Sequence, residues 1–322
     1  MFAVTASAID RDDPFRGLTL GEHPDPTPPD GWAVVDVRAA ALNHHDLWSL
    51  RGVGMSEDRL PIVLGCDAAG IAPDGSEVVV HAVLSTPGNG DETFAPDFRI
   101  LSEQEDGTFA DRVAVPERNL VPKPAGMSFV EAACLPTAYL TAYRMLFTRG
   151  RLQPGDRVLI QGAGGGVATA LLLLARAAGL HVSVTSRDDD KLARATEFGA
   201  HVAVPSGERL PQRVDAVMET VGEATWAHSL RSLKAGGTIV VSGSTSGPNP
   251  PAELQRVFYK QLSVVGSTMG TRDELANLVS LLDATGTRPL VDDTYELTDA
   301  PKAFARMAEG DVFGKLVMTH RG

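Results

Sequence analysis

Four glycines crowd one short stretch of the sequence. In RVLIQGAGGGVATALLLLARAAG, Gly162, Gly164, Gly165 and Gly166 follow the apolar run RVLIQ and precede an apolar stretch long enough for a helix. Glycine lets a chain turn tightly and lets backbone N–H groups approach a pyrophosphate at a helix start. The dinucleotide fingerprint, Gly-x-Gly-x-x-Gly/Ala, is met with Ala163, Gly165 and Ala168 in its three positions. With a strand before it and a helix after it, the turn reads as a nucleotide-binding turn, Gly164, Gly165, Gly166 and Val167 lying nearest the phosphates. The end of the next strand selects the cofactor. An acidic residue there would hold the ribose hydroxyls of NADH, whereas this chain has Ser186 and Arg187, with Lys191 one helical turn on. A hydroxyl and two cations suit a 2′-phosphate, so NADPH is the expected cofactor. Asp188, Asp189 and Asp190 could pair with Arg187 instead, and also suit the first turn of the next helix.

The thiols and imidazoles carry a second line of chemistry. There are two cysteines, Cys66 and Cys134, too few for a disulfide framework or a four-cysteine zinc site. Cys66 with Asp67 and either His44 or His45 could form a residual metal site; the plainer reading makes Cys66 a small buried apolar residue. Adjacent histidines on a strand would face opposite ways, so at most one would serve. Cys134 is expected in the core of its helix.

These residues need elements to position them. At roughly 150 residues per domain, 322 residues suggest two domains. The first third is rich in Pro and Gly with short alternating segments such as WAVVDVRAAAL and SEVVVHAVL, a mostly β, barrel-like unit. From Ser128 the pattern changes. SFVEAACLPTAYLTAYRMLF has helical spacing, with Ser128 as N-cap and Glu131 at the capping-box position. Strands RVLIQ, HVSVT, VDAVMET, TIVVSG and LSVVGS then alternate with helices, which argues a doubly wound parallel sheet. The tail rejoins the first domain. A net charge of −12 disfavours nucleic acid and anionic membrane surfaces as partners. The most apolar run, VATALLLLARAA, is shorter than the about 20 residues of a membrane span. No basic run followed by an apolar core stands at the N-terminus, and a cytoplasmic, thiol-reduced protein is expected.

An ordered series of motifs along nearly the whole chain resembles the medium-chain dehydrogenase/reductase superfamily. It runs from ALNHHDLWSLRG, LPIVLGCDAAG, GTFADRVAVPERNLVPKP and AACLPTAYLTAY through the glycine turn to METVG, LKAGGTIVVSGSTSG, LSVVGSTMG and FGKLV. The resemblance implies a GroES-like β-barrel catalytic domain, residues 1–127 and 268–322, with an inserted Rossmann domain, residues 128–267. It also implies cofactor contacts from Thr141, Val221 and Gly222 beside the nicotinamide, from Gly243, Ser244 and Thr245 after the fifth strand, and from Gly270. Thr268 and Met269 join the substrate pocket, and Phe313, Gly314 and Lys315 close over the nicotinamide. A homodimer formed through the strand from Leu262 to Ser267 is implied as well.

Zinc alcohol dehydrogenases of this superfamily place a Cys, a His-Glu pair and a further Cys around the metal. Those positions align here with Asn43, with Cys66 and Asp67, and with Thr137 or Ala138, while residues 85–106, in place of the four-cysteine lobe, contain no cysteine. Neither zinc is expected. The likeness is then to the zinc-free quinone oxidoreductase and enoyl or enone reductase branch, in which the Asn of ALN, here Asn43, lines the substrate pocket. Trp48 falls in the same segment. Asp46 is expected to anchor the loop by accepting backbone N–H bonds. His45, where the zinc enzymes carry a proton-relay hydroxyl, is either a general acid or a loop histidine bonded to backbone. The expected function is a metal-free, NADPH-dependent reduction of a quinone, enone or other activated alkene or carbonyl. The alternatives are a zinc alcohol dehydrogenase with atypical ligands and a nucleotide-binding protein without catalysis.

Overall fold

The computed structural model describes residues 1–320 apart from 87 and 89. The chain enters as β1 (Phe2–Ala6), β2 (Leu18–Glu22) and the long β3 (Trp32–Ala41), then α1 (His44–Leu50). Short strands follow: β4 (Ile62–Val63), β5 (Asp67–Ile71), β6 (Glu77–Val80), β7 (Val83–Leu84), β8 (Arg99–Ile100), β9 (Arg112–Pro116) and β10 (Leu120–Pro122). The anticipated strand SEVVVHAVL is split between β6 and β7. Ser128 caps α2 (Phe129–Ala132): its hydroxyl accepts from Glu131 N at 3.2 Å, and Glu131 accepts from Ser128 N at 2.8 Å. The helix expected beyond it does not run on unbroken. Pro136 lacks the N–H a helix interior needs, and wider π-turns at Leu135–Tyr139 and Arg144–Arg149 flank α3 (Leu140–Tyr143).

The alternating part contains β11 (Arg157–Gln161), α4 (Gly166–Ala177), β12 (His181–Ser186), α5 (Asp189–Glu197), β13 (Val202–Pro205), β14 (Val214–Glu219), α6 (Glu223–Ser232), β15 (Leu233–Val241), α7 (Leu254–Lys260) and β16 (Ser263–Gly266). All pairings are parallel, in the order β13-β12-β11-β14-β15-β16. That order reverses beside β11, so the strand ends there leave a crevice, where open α/β sheets bind ligands. β13 is an addition to the expected strands; it is a short edge strand with a half-exposed pattern, which leaves little apolar signal. After α8 (Arg272–Thr285), β17 (Val291–Glu296), α9 (Ala300–Glu309) and β18 (Lys315–Thr319) complete the first sheet, β18 pairing with β3.

Two compact units result: Met1–Ala138 with Met269–Gly322, and Tyr139–Thr268. The first boundary falls later than residue 128 because α2 packs on β3 and β5 of the first unit. In that unit β3 lies between β5 and β18, with Ala41 opposite Asp67 on one side and Val317 on the other. This register brings the segments around Asn43, Asp67 and Lys315 together. β5 fits closely because residue 70 is glycine: a Cβ there would stand 2.2 Å from Asp36 O.

Candidate active site

In the second unit, β11 ends at Gln161 and the chain turns at Gly162, φ +85°, a conformation that favours glycine. Gly165 is the N-cap of α4, so the amides of Gly166, Val167 and Ala168 begin the helix without carbonyl partners of their own. Gly165 is exposed and a Cβ there would meet nothing within 4 Å, which leaves the helix start open to a ligand. A twelve-residue helix behind it adds the positive end of its dipole. The fingerprint register shifts in the structure. Ala163 is buried, the positive-φ turn is made by Gly162, and the free amides at the helix start are those of Gly166, Val167 and Ala168.

Ser186 ends β12, and its hydroxyl accepts from Asp188 N at 3.1 Å. Asp188 is the N-cap of α5 and accepts from Asp190 N and Lys191 N. It therefore caps a helix, while Arg187 lies exposed at the strand end. Thr141 is buried in α3. Val221 and Gly222 form the turn after β14 and pack on the loop after β15: Ser246 N donates to Val221 O at 2.8 Å. A Cβ at Gly222 would lie 2.6 Å from Gly247 O and against Ser244, and one at Gly243 would lie 3.0 Å from Thr220 O. The structure thus gathers Val221, Gly222, Gly243, Ser244 and Thr245 at neighbouring strand ends. Thr268 closes this unit.

In the first unit, Asn43, Asp67 and Lys315 form one buried cluster. The Lys315 ammonium donates to Leu42 O at 2.8 Å, Asn43 Oδ1 at 2.5 Å and Asp67 Oδ2 at 3.2 Å. Asn43 Nδ2 donates to Asp67 Oδ2 at 2.9 Å and Ala41 O at 3.3 Å. Burial raises the Asp67 carboxyl, opposed by the Lys315 charge. The Asn43 amide is thereby engaged on both its oxygen and its nitrogen, and Lys315, expected over the nicotinamide, is turned inward with 2% exposure. Phe313 beside it is also buried. Asp46 anchors the loop as expected, accepting from Asn43 N at 2.8 Å.

The donors in this cluster do not fit the family's catalytic zinc. Asn43 and Asp67 stand at two ligand positions, and both carry the ammonium of Lys315; a divalent cation beside it would meet like charge. The atypical set with His44 is not assembled either. His44 and His45 open a helix, not a strand, and His44 is exposed, its ring 6.4 Å from that of Trp48 one turn on.

His45 points elsewhere. Its Nδ1 lies 3.2 Å from Cys66 Sγ and its Nε2 lies 3.0 Å from Glu103 Oε1. Asp46 Oδ1, buried and without a hydrogen-bond partner, is 4.0 Å from Nδ1. Burial disfavours a charged imidazole, but Cys66, Asp46 and Glu103 outweigh it and hold His45 well above its usual range. Burial pushes the Cys66 thiol up, against the pull of His45. Both groups are thereby held toward their proton-bearing forms. Cys66 also lies 3.5 Å from Leu101 O and 3.7 Å from Ser102 Oγ, and packs with Ala82, Val83, Ile100 and Met269. Gly270, next to Met269, accepts through its carbonyl from the His81 ring at 3.0 Å. Cys134, expected in the core of a helix, is buried instead in the turn between α2 and the π-turn at Leu135–Tyr139, where the helix breaks ahead of Pro136, and burial pushes its thiol up to about 12. Among the described residues, His45, Asp46 and Cys66 are the one group with three donor atoms within 4.8 Å that could hold a cation. Glu103 had no sequence signal: it sits in a polar loop, and only the folding of residues 99–106 against α1 brings it to His45.

Comparison with known proteins places this geometry in a family. Residues 29–125 match the model of the alcohol dehydrogenase GroES-like domain, and residues 166–284 that of the zinc-binding dehydrogenase. The chain is 28% identical to an acryloyl-coenzyme A reductase of Metallosphaera sedula over 94% of this chain and 97% of that protein. It is 30% identical to a zinc-type alcohol dehydrogenase-like protein of Schizosaccharomyces pombe over 83% and 81%. The crystal structure of an NAD-dependent alcohol dehydrogenase superposes with a TM-score of 0.91 at 33% identity, covering 99% of each chain. A dinucleotide turn at a Rossmann switch point and a GroES-like unit returning after it are thus found with the sequence likeness to match: the chain belongs to the medium-chain dehydrogenase/reductase superfamily and is a nicotinamide-dinucleotide-dependent oxidoreductase.

Proposed function

We propose that the protein is an NADPH-dependent reductase of activated alkenes, such as enones, quinones or enoyl thioesters, that works without zinc. The observation that carries this reading is the Lys315 ammonium bound to Asn43 and Asp67, at two of the family's metal-ligand positions. Without a Lewis acid to acidify an alcohol, oxidation of alcohols is disfavoured. Reduction of a polarised C=C bond asks less of the protein. Likeness to an acryloyl-coenzyme A reductase supports that substrate class. Exposed Arg187, beside Ser186 and Lys191, favours NADPH.

Bound NADPH supplies a hydride. The chain must supply a proton where the resulting enolate collapses. His45 is the donor: Glu103 on Nε2 fixes the ring and favours its charged form, and Nδ1 carries the proton on the Cys66 side. Glu103 is partly open to solvent, a route for reprotonation. His45→Gln is expected to lower kcat by about 10²- to 10⁴-fold while leaving the NADPH dissociation constant within a factor of about two. An unchanged kcat would remove His45 from the reaction. The His45–Asp46–Cys66 group favours a second reading, a zinc alcohol dehydrogenase with atypical ligands. Stoichiometric zinc that leaves together with activity in Cys66→Ala would establish it.

The protein is also proposed to be a homodimer. β16 is an edge strand with an exposed face, and Val264, Leu254, Phe258 and Tyr259 are exposed around it. A second copy pairing through residues 262–267 would cover that edge.

A further inference from the structure

One buried polar chain in the second unit has no part in the reading above. Glu219, at the end of β14, is fully buried and carries no ion pair among the described residues. Four donors satisfy it instead. Oε1 accepts from Val221 N at 2.9 Å, Gly222 N at 3.0 Å and Thr225 Oγ1 at 2.8 Å, and Oε2 accepts from Ser229 Oγ at 2.6 Å. Ser229 Oγ accepts in turn from Gln161 Nε2 at 2.9 Å, at the end of β11. Gln161 Oε1 accepts from Thr185 Oγ1 at 2.6 Å, one residue before the end of β12. Thr185 Oγ1 faces Gly162 N at 3.4 Å. The same Gln161 amide meets His228 Nδ1 at 2.9 Å, while His228 Nε2 donates to Glu208 O at 2.8 Å, which makes this imidazole neutral.

The chain is unusual in what it touches. Its ends are Gly162, which opens the phosphate turn, and Val221–Gly222, the turn assigned to the nicotinamide side. In between it runs through Thr185, next to Ser186 and Arg187. Three strand ends that meet one extended ligand are therefore indexed by one set of buried hydrogen bonds. A buried carboxylate needs every donor, because each bond lost leaves charge without solvation. Its demand fixes the Val221–Gly222 turn, and Gln161 can satisfy both Ser229 and Thr185 in only one amide orientation.

We infer that Glu219 is a positioning residue for the dinucleotide, coupling the nicotinamide-side turn to the phosphate turn through Ser229, Gln161 and Thr185. A double-mutant cycle measures the coupling. The probes are NADPH and 2′-phospho-ADP-ribose, the second lacking only the nicotinamide, with dissociation constants measured on the full-length protein. Glu219→Gln is expected to weaken NADPH at least about tenfold, the cost of a lost charge-assisted bond, and 2′-phospho-ADP-ribose distinctly less. Thr185→Val is expected to weaken both. In the double variant the NADPH losses should fall short of the product of the single effects by about threefold or more. Multiplicative effects, or equal losses for both probes in Glu219→Gln, would overturn the coupling and leave only a structural role. If Glu219→Gln does not fold, Ser229→Ala, which removes one donor and keeps the carboxylate, is put through the same cycle with the same expected and contrary results.

Discussion

Lys315 and Arg187 show how differently two cations of one chain are used. Lys315 is buried against Asp67, and removing one partner of a buried pair costs about 3–5 kcal/mol because the other charge is left unpaired. Lys315→Met is accordingly expected to lower unfolding stability by several kcal/mol, read from the midpoint and slope of urea denaturation; a shift below about 0.5 kcal/mol, the usual range for surface changes, would mean that the cluster is not an ion pair. Arg187 is exposed and available. Losing a charge-assisted phosphate contact of about 1.5–3 kcal/mol predicts that Arg187→Ala weakens NADPH about ten- to a hundredfold and NADH little. Equal losses in the two titrations would take the 2′-phosphate away from Arg187. The two positions also differ in legibility. Arg187 follows a strand in a local βα pattern, so its place is set by neighbours in sequence. The partners of Lys315 are 248 and 272 residues away, and no local pattern marks them; the sequence motif around it suggested a cofactor contact. Glu103 escaped notice for the same reason, at 58 residues from His45.

Local signals sufficed for elements whose ends are chemically marked. The Ser128–Glu131 capping box and the strand–glycine–helix run at residues 157–177 lie where the sequence puts them, because caps and tight turns are satisfied within a few residues. The π-turns around α3 did not announce themselves, since helical spacing is nearly the same for both forms; only Pro136 hinted at a break. β16 is the element with most left to explain. As an edge strand it presents unpaired backbone groups, two of its four residues are the β-branched Val264 and Val265, and Ser263, Val264 and Gly266 are exposed. A lysine on such an edge blocks pairing, so Val264→Lys is expected to convert a dimer to a monomer in sedimentation equilibrium without changing the circular dichroism spectrum. A wild-type protein that sediments as a monomer would end the dimer proposal.

At the scale of the molecule, two units divide the chemistry. The Rossmann unit carries the dinucleotide turn and the Glu219 chain. The GroES-like unit carries the buried Lys315 against Asn43 and Asp67, and the His45 imidazole between Cys66 and Glu103. Loss of the cysteines of the zinc enzymes was visible in the composition; what replaced them was not, because Lys315 and His45 acquire their partners only through the β5-β3-β18 register and the loop that carries Glu103. This arrangement is proposed to reduce activated alkenes without metal. It is tested by assaying NADPH oxidation with simple enones, quinones and acryloyl thioester on protein whose metal content is measured before and after treatment with a chelator. Turnover that persists at substoichiometric metal and is unaffected by chelation is the predicted result; turnover that appears only with stoichiometric zinc and vanishes on its removal would contradict the account.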